Sequence, residues 1–227
     1  MTTITDLPHN VLYQIFDINS DTSGKTALVC SAWARLSHNN MVIALSAIST
    51  PALAEWAVRI GCPMNTRLFI HAVANGYTPV VEWLMDRGCP PSIMSCEIAA
   101  EYGQLETLQW LSLHGGELHQ NVFSAAVIGG HMRVLQWLHD NYCTWEADAF
   151  AIAVIKGDMT IIQWLYDNDC PWDATAFSAA AKLGDISLMQ WLFERDCPWD
   201  YGTGHFAACH GHAGAVSWLR DRGCPWD

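Results

Sequence analysis

Seven tryptophans, Trp56, Trp83, Trp110, Trp137, Trp164, Trp191 and Trp218, stand at a constant interval of 27 residues without a miss. Cys62, Cys89, Cys143, Cys170, Cys197 and Cys224 keep the same interval, with one vacant rung at Gly116. Gly76, Gly103, Gly130, Gly157, Gly184 and Gly211 form a third ladder, and Ala72, Ala99, Ala126, Ala153, Ala180 and Ala207 a fourth. Phe69, Phe123, Phe150 and Phe177 hold a further register, broken by Cys96 and Gly204. Several residue types locked to one period identify a repeat architecture, in which each unit buries its apolar faces only against its neighbours. Counting back from the last of the 227 residues sets the units at 39–65, 66–92, 93–119, 120–146, 147–173, 174–200 and 201–227. The first unit is degenerate, with Leu45 and Ser49 where the others carry alanine and glycine, and residues 1–38 lie outside the period.

The unit 174–200 predicts a helix-turn-helix. Asp173 is placed to cap an alanine-rich helix over 174–182, and Gly184 supplies the left-handed residue that ends it. Asp185 is placed to cap a second helix, in which Ile186, Leu188, Met189, Trp191, Leu192 and Phe193 recur at helical spacing, and Pro198 is expected to stop it. No stretch alternates like a strand. The ladder indoles are expected to fill the seams between hairpins, because invariance from unit to unit favours packing over recognition; the other reading is a stacking platform for bases or proline-rich peptides. A second series, Trp145, Trp172, Trp199 and Trp226, sits in the connectors, where it covers the edge between units or forms an exposed ridge.

Composition narrows the function. The formal net charge is -12, from 23 acidic and 11 basic residues, which repels a phosphate backbone and argues against nucleic acid. Lysine is restricted to Lys25, Lys156 and Lys182. No run reaches the roughly 18 apolar residues of a spanning helix, and the polar start lacks the features of a secretory signal, so an intracellular, cytoplasmic protein with no membrane partner is expected. Cysteines one unit apart are too distant for a disulfide or a shared metal, since packed helices lie about 8–10 Å apart, so small buried thiols are expected. Cys209, His210 and His212 have ligand chemistry but no fourth partner in sequence, so no metal is assigned. No nucleophile, base and orienting acid fall together, and neither an enzyme nor a cofactor is expected.

The units resemble ankyrin repeats. Ala72-Val73-Ala74-Asn75-Gly76, Val80-Val81-Glu82-Trp83-Leu84 and Gly88-Cys89 follow the family pattern, and Ala126, Gly130, His131, Val134, Leu135, Trp137 and Leu138 keep its Gly-His pair. Ankyrin units are usually six residues longer, and the missing residues fall where the family forms its protruding finger. The resemblance implies an all-α solenoid whose first helices line a concave binding face. The variable positions there include Glu101, Tyr102, Lys156, Lys182 and His210 as expected target contacts, with Ile128, Ile152 and Ile155 as an apolar patch; the alternative is a merely solvated or partly packed surface.

Residues 1–38 resemble an F-box, a small helical bundle that docks on a Skp1-type adaptor. The matching residues are Leu7-Pro8, Val11-Leu12, Ile15-Phe16, Leu28-Val29-Cys30 and Trp33. Asn10 stands where an acidic residue is common, and the 18–26 loop lacks the usual second leucine run. The resemblance assigns Skp1-type binding to Leu7, Pro8, Val11, Leu12, Ile15, Phe16 and Val29. The alternative is a pair of amphipathic helices that merely cap the array. An F-box ahead of short repeats rich in Cys-Pro-Trp-Asp is similar to the F-box and ankyrin proteins of giant DNA viruses. This implies a substrate receptor of an SCF-type (cullin) ubiquitin ligase, acting in the host cytoplasm, whose repeats select an unknown target. Scarce lysine suits a receptor that avoids its own modification, and composition bias explains it equally well.

Overall fold

The structure, a computed structural model, describes residues 48–59, 63–89 and 91–225. Among the described residues every regular element is a helix. They divide at Ile93 and Met94 into two compact units. The first holds α1 (Pro51–Arg59), α2 (Thr66–Ala74) and α3 (Thr78–Asp86). The second holds five helical hairpins: α4 (Ser95–Glu101) with α5 (Leu105–Leu113), α6 (Gln120–Gly129) with α7 (Met132–Asp140), α8 (Ala147–Lys156) with α9 (Met159–Asp167), α10 (Ala174–Leu183) with α11 (Ile186–Phe193), and α12 (Tyr201–Cys209) with α13 (Ala213–Asp221). The residues of the F-box resemblance, and the boundary at 38, lie outside the described residues.

In the second unit the first helices α4, α6, α8, α10 and α12 pack in sequence as one layer, each with its own second helix behind it. The alanine ladder makes this close approach possible: Ala99, Ala126, Ala153, Ala180 and Ala207 are all 0% exposed. The core between the layers is completed by Phe123, Phe150 and Phe177 and by Leu138, Leu165, Leu192 and Leu219, all fully buried. In the first unit Phe69 and Leu84 fill the corresponding places.

The ends of the helices follow the sequence closely, with one correction. The Asp173 carboxylate accepts the Thr175 amide, Asp185 accepts the Leu188 amide, and Asp200 forms a capping box with Thr203. Pro198, however, does not stop α11. That helix ends at Phe193, and the chain turns at Asp196, which takes a left-handed φ of 57° before the proline is reached.

The ladder tryptophans also differ from expectation. Trp110, Trp137, Trp164, Trp191 and Trp218 are half-buried, and the phenylalanines occupy the interior instead. Among the described residues each connector indole bridges the two: Trp145 meets Phe123 edge-on at 4.8 Å and Trp164 of the next hairpin at 5.9 Å. Trp172 joins Phe150 to Trp191 in the same way, and Trp199 joins Phe177 to Trp218. The indoles therefore do seal the seams, from the rim rather than from the centre. An indole is too large for a gap that alanine-lined helices leave, while its edge-to-face contacts suit a partly wet rim.

The vacant cysteine rung has a local cause. A Cβ at Gly116 would sit 2.6 Å from the Cys96 sulfur and 2.8 Å from the Leu111 carbonyl oxygen. In this one repeat the thiol occupies the phenylalanine register, and the cysteine register gives way to glycine. The two irregularities are one substitution seen twice.

Candidate protein-interaction face

The second unit's first helices leave one side uncovered. Their C-terminal halves bring Glu101 and Tyr102 (α4 and its cap), Ile128 (α6), Ile155 and Lys156 (α8), Lys182 and Leu183 (α10), and Phe206 (α12) with the cap His210 to the surface. Of the expected target contacts, Glu101, Tyr102, Ile128, Ile155, Lys156, Lys182 and His210 are exposed and Ile152 is half-buried. Their exposure follows from helical spacing: Ala125, Ala151 and Ala179 turn away into the layer, and residues three or four later emerge beside the cap.

These residues do not form one even surface. A groove of about 820 Å³ runs across α8, α10 and α12, lined by Ala151, Ile155, Ser178, Ala179, Lys182, Tyr201, Gly202, His205 and Phe206 among others. It brings together Ile155 and Lys182 of the expected set and leaves Glu101, Tyr102, Ile128, Ile152, Lys156 and His210 outside its lining. Tyr201 and His205 lie outside the expected positions, and Phe206 stands at a variable position of the first-helix face without being among the expected contacts. Phe206 offers the one signal in the sequence: a large aromatic five residues before the glycine, where other repeats carry Ile98, Ala125, Ile152 and Ala179.

The loop edge of the face is held by histidines. His131 Nε2 and the Glu101 carbonyl oxygen are 3.0 Å apart, and His212 Nε2 bonds the Lys182 carbonyl at the same distance. A carbonyl only accepts, so the ring nitrogen donates and its proton is placed on Nε2. Each bond satisfies a carbonyl near the end of the preceding first helix. The rings also lie where a Cβ on Gly103 or Gly184 would be, so these two glycines serve close packing as well as their positive φ. Where the histidine is replaced by aspartate, at Asp158 and Asp185, the side chain caps its own second helix instead.

Cys209, His210 and His212 do not converge. The Cys209 sulfur lies 3.4 Å from His205 Nε2, His210 turns back to the Phe206 carbonyl, and His212 is committed to Lys182. Among the described residues no three His, Cys, Asp or Glu side chains gather as a metal site.

The ladder thiols from Cys143 onward sit elsewhere, each tying the end of its repeat to the cap of that repeat's first helix. Cys143 donates to the His119 carbonyl at 3.4 Å, Cys197 to Asp173 at 3.7 Å and Cys224 to Asp200 at 3.6 Å. Burial holds these thiols protonated: it pushes Cys143 up to about 11, and Cys170 and Cys197, with Asp148 and Asp173 nearby, up to about 12. They are structural and poorly nucleophilic.

No protein-family model and no curated protein matches the chain. Among solved structures, the ankyrin repeat domain of human ASB11 is similar, with a TM-score of 0.54 at 16% identity over 69% of this chain and 84% of that one. At that identity the likeness speaks for the fold: an all-α, ankyrin-like stack of helical hairpins. Among the described residues no helix is long and apolar enough to cross a membrane.

Proposed function

We propose that the chain is a protein-interaction adaptor and not an enzyme, with the first-helix face of its second unit binding a target protein. The observation that carries this reading is the groove across α8, α10 and α12, in which exposed apolar and charged side chains that differ from repeat to repeat lie on a rigid alanine-packed layer. A surface that varies on a scaffold that does not is what selective recognition requires. Glu101, Tyr102, Ile128, Ile152, Ile155, Lys156, Lys182 and His210 are its proposed contacts.

The finer role rests on the sequence alone. Leu7, Pro8, Val11, Leu12, Ile15, Phe16 and Val29 support docking on a Skp1-type adaptor, which makes the chain a substrate receptor of an SCF-type ubiquitin ligase. By its likeness to viral F-box and ankyrin proteins, such a receptor acts on a host protein in the host cytoplasm. In the alternative reading those residues only cap the stack. Co-purification with a Skp1-type protein separates the two: the double substitution Leu12→Asp and Phe16→Asp abolishes binding of a receptor while its helix content is unchanged. Failure of the wild-type chain to bind, or binding retained in the double mutant, leaves a scaffold without a ligase.

A further inference from the structure

The chemistry of the groove restricts what a target can present to it. We propose, resting on the first-helix face as the target-binding surface, that this groove takes an acidic and apolar peptide segment. Its Asp or Glu carboxylate pairs with Lys182 in the groove, and its apolar side chains seat on Ile155, Tyr201 and Phe206; Lys156, outside the groove lining at the end of the neighbouring first helix, adds positive charge on the same face.

The charge argument comes first. In a chain of net charge -12 with three lysines, two of them, Lys156 and Lys182, stand at the ends of neighbouring first helices on this one face. Cations at helix C-termini favour the helix dipole, so the fold itself gains from them. The fold does not require them: the places equivalent to Lys182 hold Glu101, Ile128, Ile155 and Cys209, and those equivalent to Lys156 hold Tyr102, Gly129, Leu183 and His210. The ion pairs of the described residues lie elsewhere, at Arg59 with Glu55, His119 with Glu97 and His139 with Asp140, so both ammonium groups are left for a partner. Asp200 also lines the groove, and its carboxylate is turned to its own helix start, where it accepts the Thr203 amide in a capping box, which leaves Lys182 as the groove's cation.

The apolar part of the argument is geometric. Ile155, Tyr201 and Phe206 are 55%, 62% and 42% exposed, a cost for side chains of this size unless a partner covers them. Ala151, Ala179 and Gly202 make a floor of small residues that lets a peptide backbone come close. A carboxylate set among apolar residues therefore matches the Lys182 side of the groove with charge and its other side with area.

The test uses the immobilised full-length protein and a displayed library of short random peptides. The expected result is enrichment of sequences with Asp or Glu among Leu, Ile or Phe. Individual peptides should bind about tenfold more weakly to the Lys156→Ser, Lys182→Ser double variant and to Phe206→Ser, and no more weakly to Arg133→Ser on α7. Selection on Lys182→Glu should swing toward Lys- and Arg-bearing peptides. Basic or uncharged winners, or acidic winners indifferent to both lysines, overturn the acidic assignment; if such peptides still depend on Phe206, the target-binding face stands. If no peptide responds to any groove substitution, the acidic assignment and the face fall together, while Skp1-type binding is unaffected by either outcome.

Discussion

Tyr142, Asp169 and Asp196 take φ values of 56°, 59° and 57°, the left-handed region that costs an ordinary side chain about 1–2 kcal/mol. They belong to a ladder of their own: Gly88, Gly115 and Gly223 hold the same turn after the second helix, at 76°, 92° and 78°. Only half the rungs among the described residues are glycine, so residue type hides the ladder in the sequence even though the backbone keeps it. Tyr142 is 94% exposed and loses no packing when truncated. Tyr142→Gly is therefore expected to raise stability by about 1 kcal/mol, read as a higher urea midpoint at unchanged slope.

The thiols make a second prediction at this scale. Their ordinary value is 9.0, and in the folded protein Cys143 rises to about 11 and Cys170 and Cys197 to about 12. Between those limits the unfolded chain binds fewer protons than the folded one, so stability is intact below pH 9 and falls as pH rises toward 12. Denaturation at about pH 8 and about pH 10.5 checks this: the triple Cys143→Ala, Cys170→Ala, Cys197→Ala variant should lose less stability between the two than the wild type. Brief alkylation of the native protein should modify Cys209, which is exposed, well before any of these three.

Elements were legible wherever one residue type marks one job. Asp173 and Asp185 mark their caps, and the sequence places α10 to within a residue of its observed bounds and the start of α11 at Ile186, but not the end of α11, which comes at Phe193 ahead of Pro198. The role of the indoles was not legible, because periodicity shows that a residue is needed and not which side of a helix layer it faces. Repeated Phe and repeated Trp look alike on that test, yet Phe123, Phe150 and Phe177 are interior and the tryptophans are at the rim. A further device escaped notice because its residue type changes. In the second unit the side chain four residues after each ladder tryptophan reaches back to that tryptophan's carbonyl: His114, Asn141, Asn168, Arg195 and Arg222 all do so. In Arg195 and Arg222 the guanidinium also lies over the indole, 4.1 and 4.0 Å from its centre. The seam itself can be measured. A double-mutant cycle on Trp145→Leu and Trp164→Leu should give a coupling of about 0.5–1.5 kcal/mol, as edge-to-face pairs do. Trp137 is preceded by a connector with Leu118 in place of tryptophan, so the cycle on Leu118→Ala and Trp137→Leu should give a smaller value.

At the scale of the molecule, the period legible in the sequence carries over into five stacked hairpins of the second unit, and the face it leaves open is the proposed binding surface. The position of the groove within that face was not legible, since it depends on which small residues, Ala151, Ala179 and Gly202, fall opposite which large ones. A stack held by nearest-neighbour contacts has interchangeable layers. Excising residues 147–173 joins Glu146 to Ala174 and brings Trp145 against Trp191, with the Phe123 seam preserved in kind. Thermal and urea unfolding of this variant, beside one lacking only 147–157, tests the account most directly. Loss of the whole repeat should leave a cooperative transition and the helix content of one hairpin fewer, while the shorter deletion, which removes α8 and leaves α9 with no first helix of its own to pack on, should abolish cooperativity. Equal behaviour of the two variants, or collapse of the whole-repeat deletion alone, would contradict it.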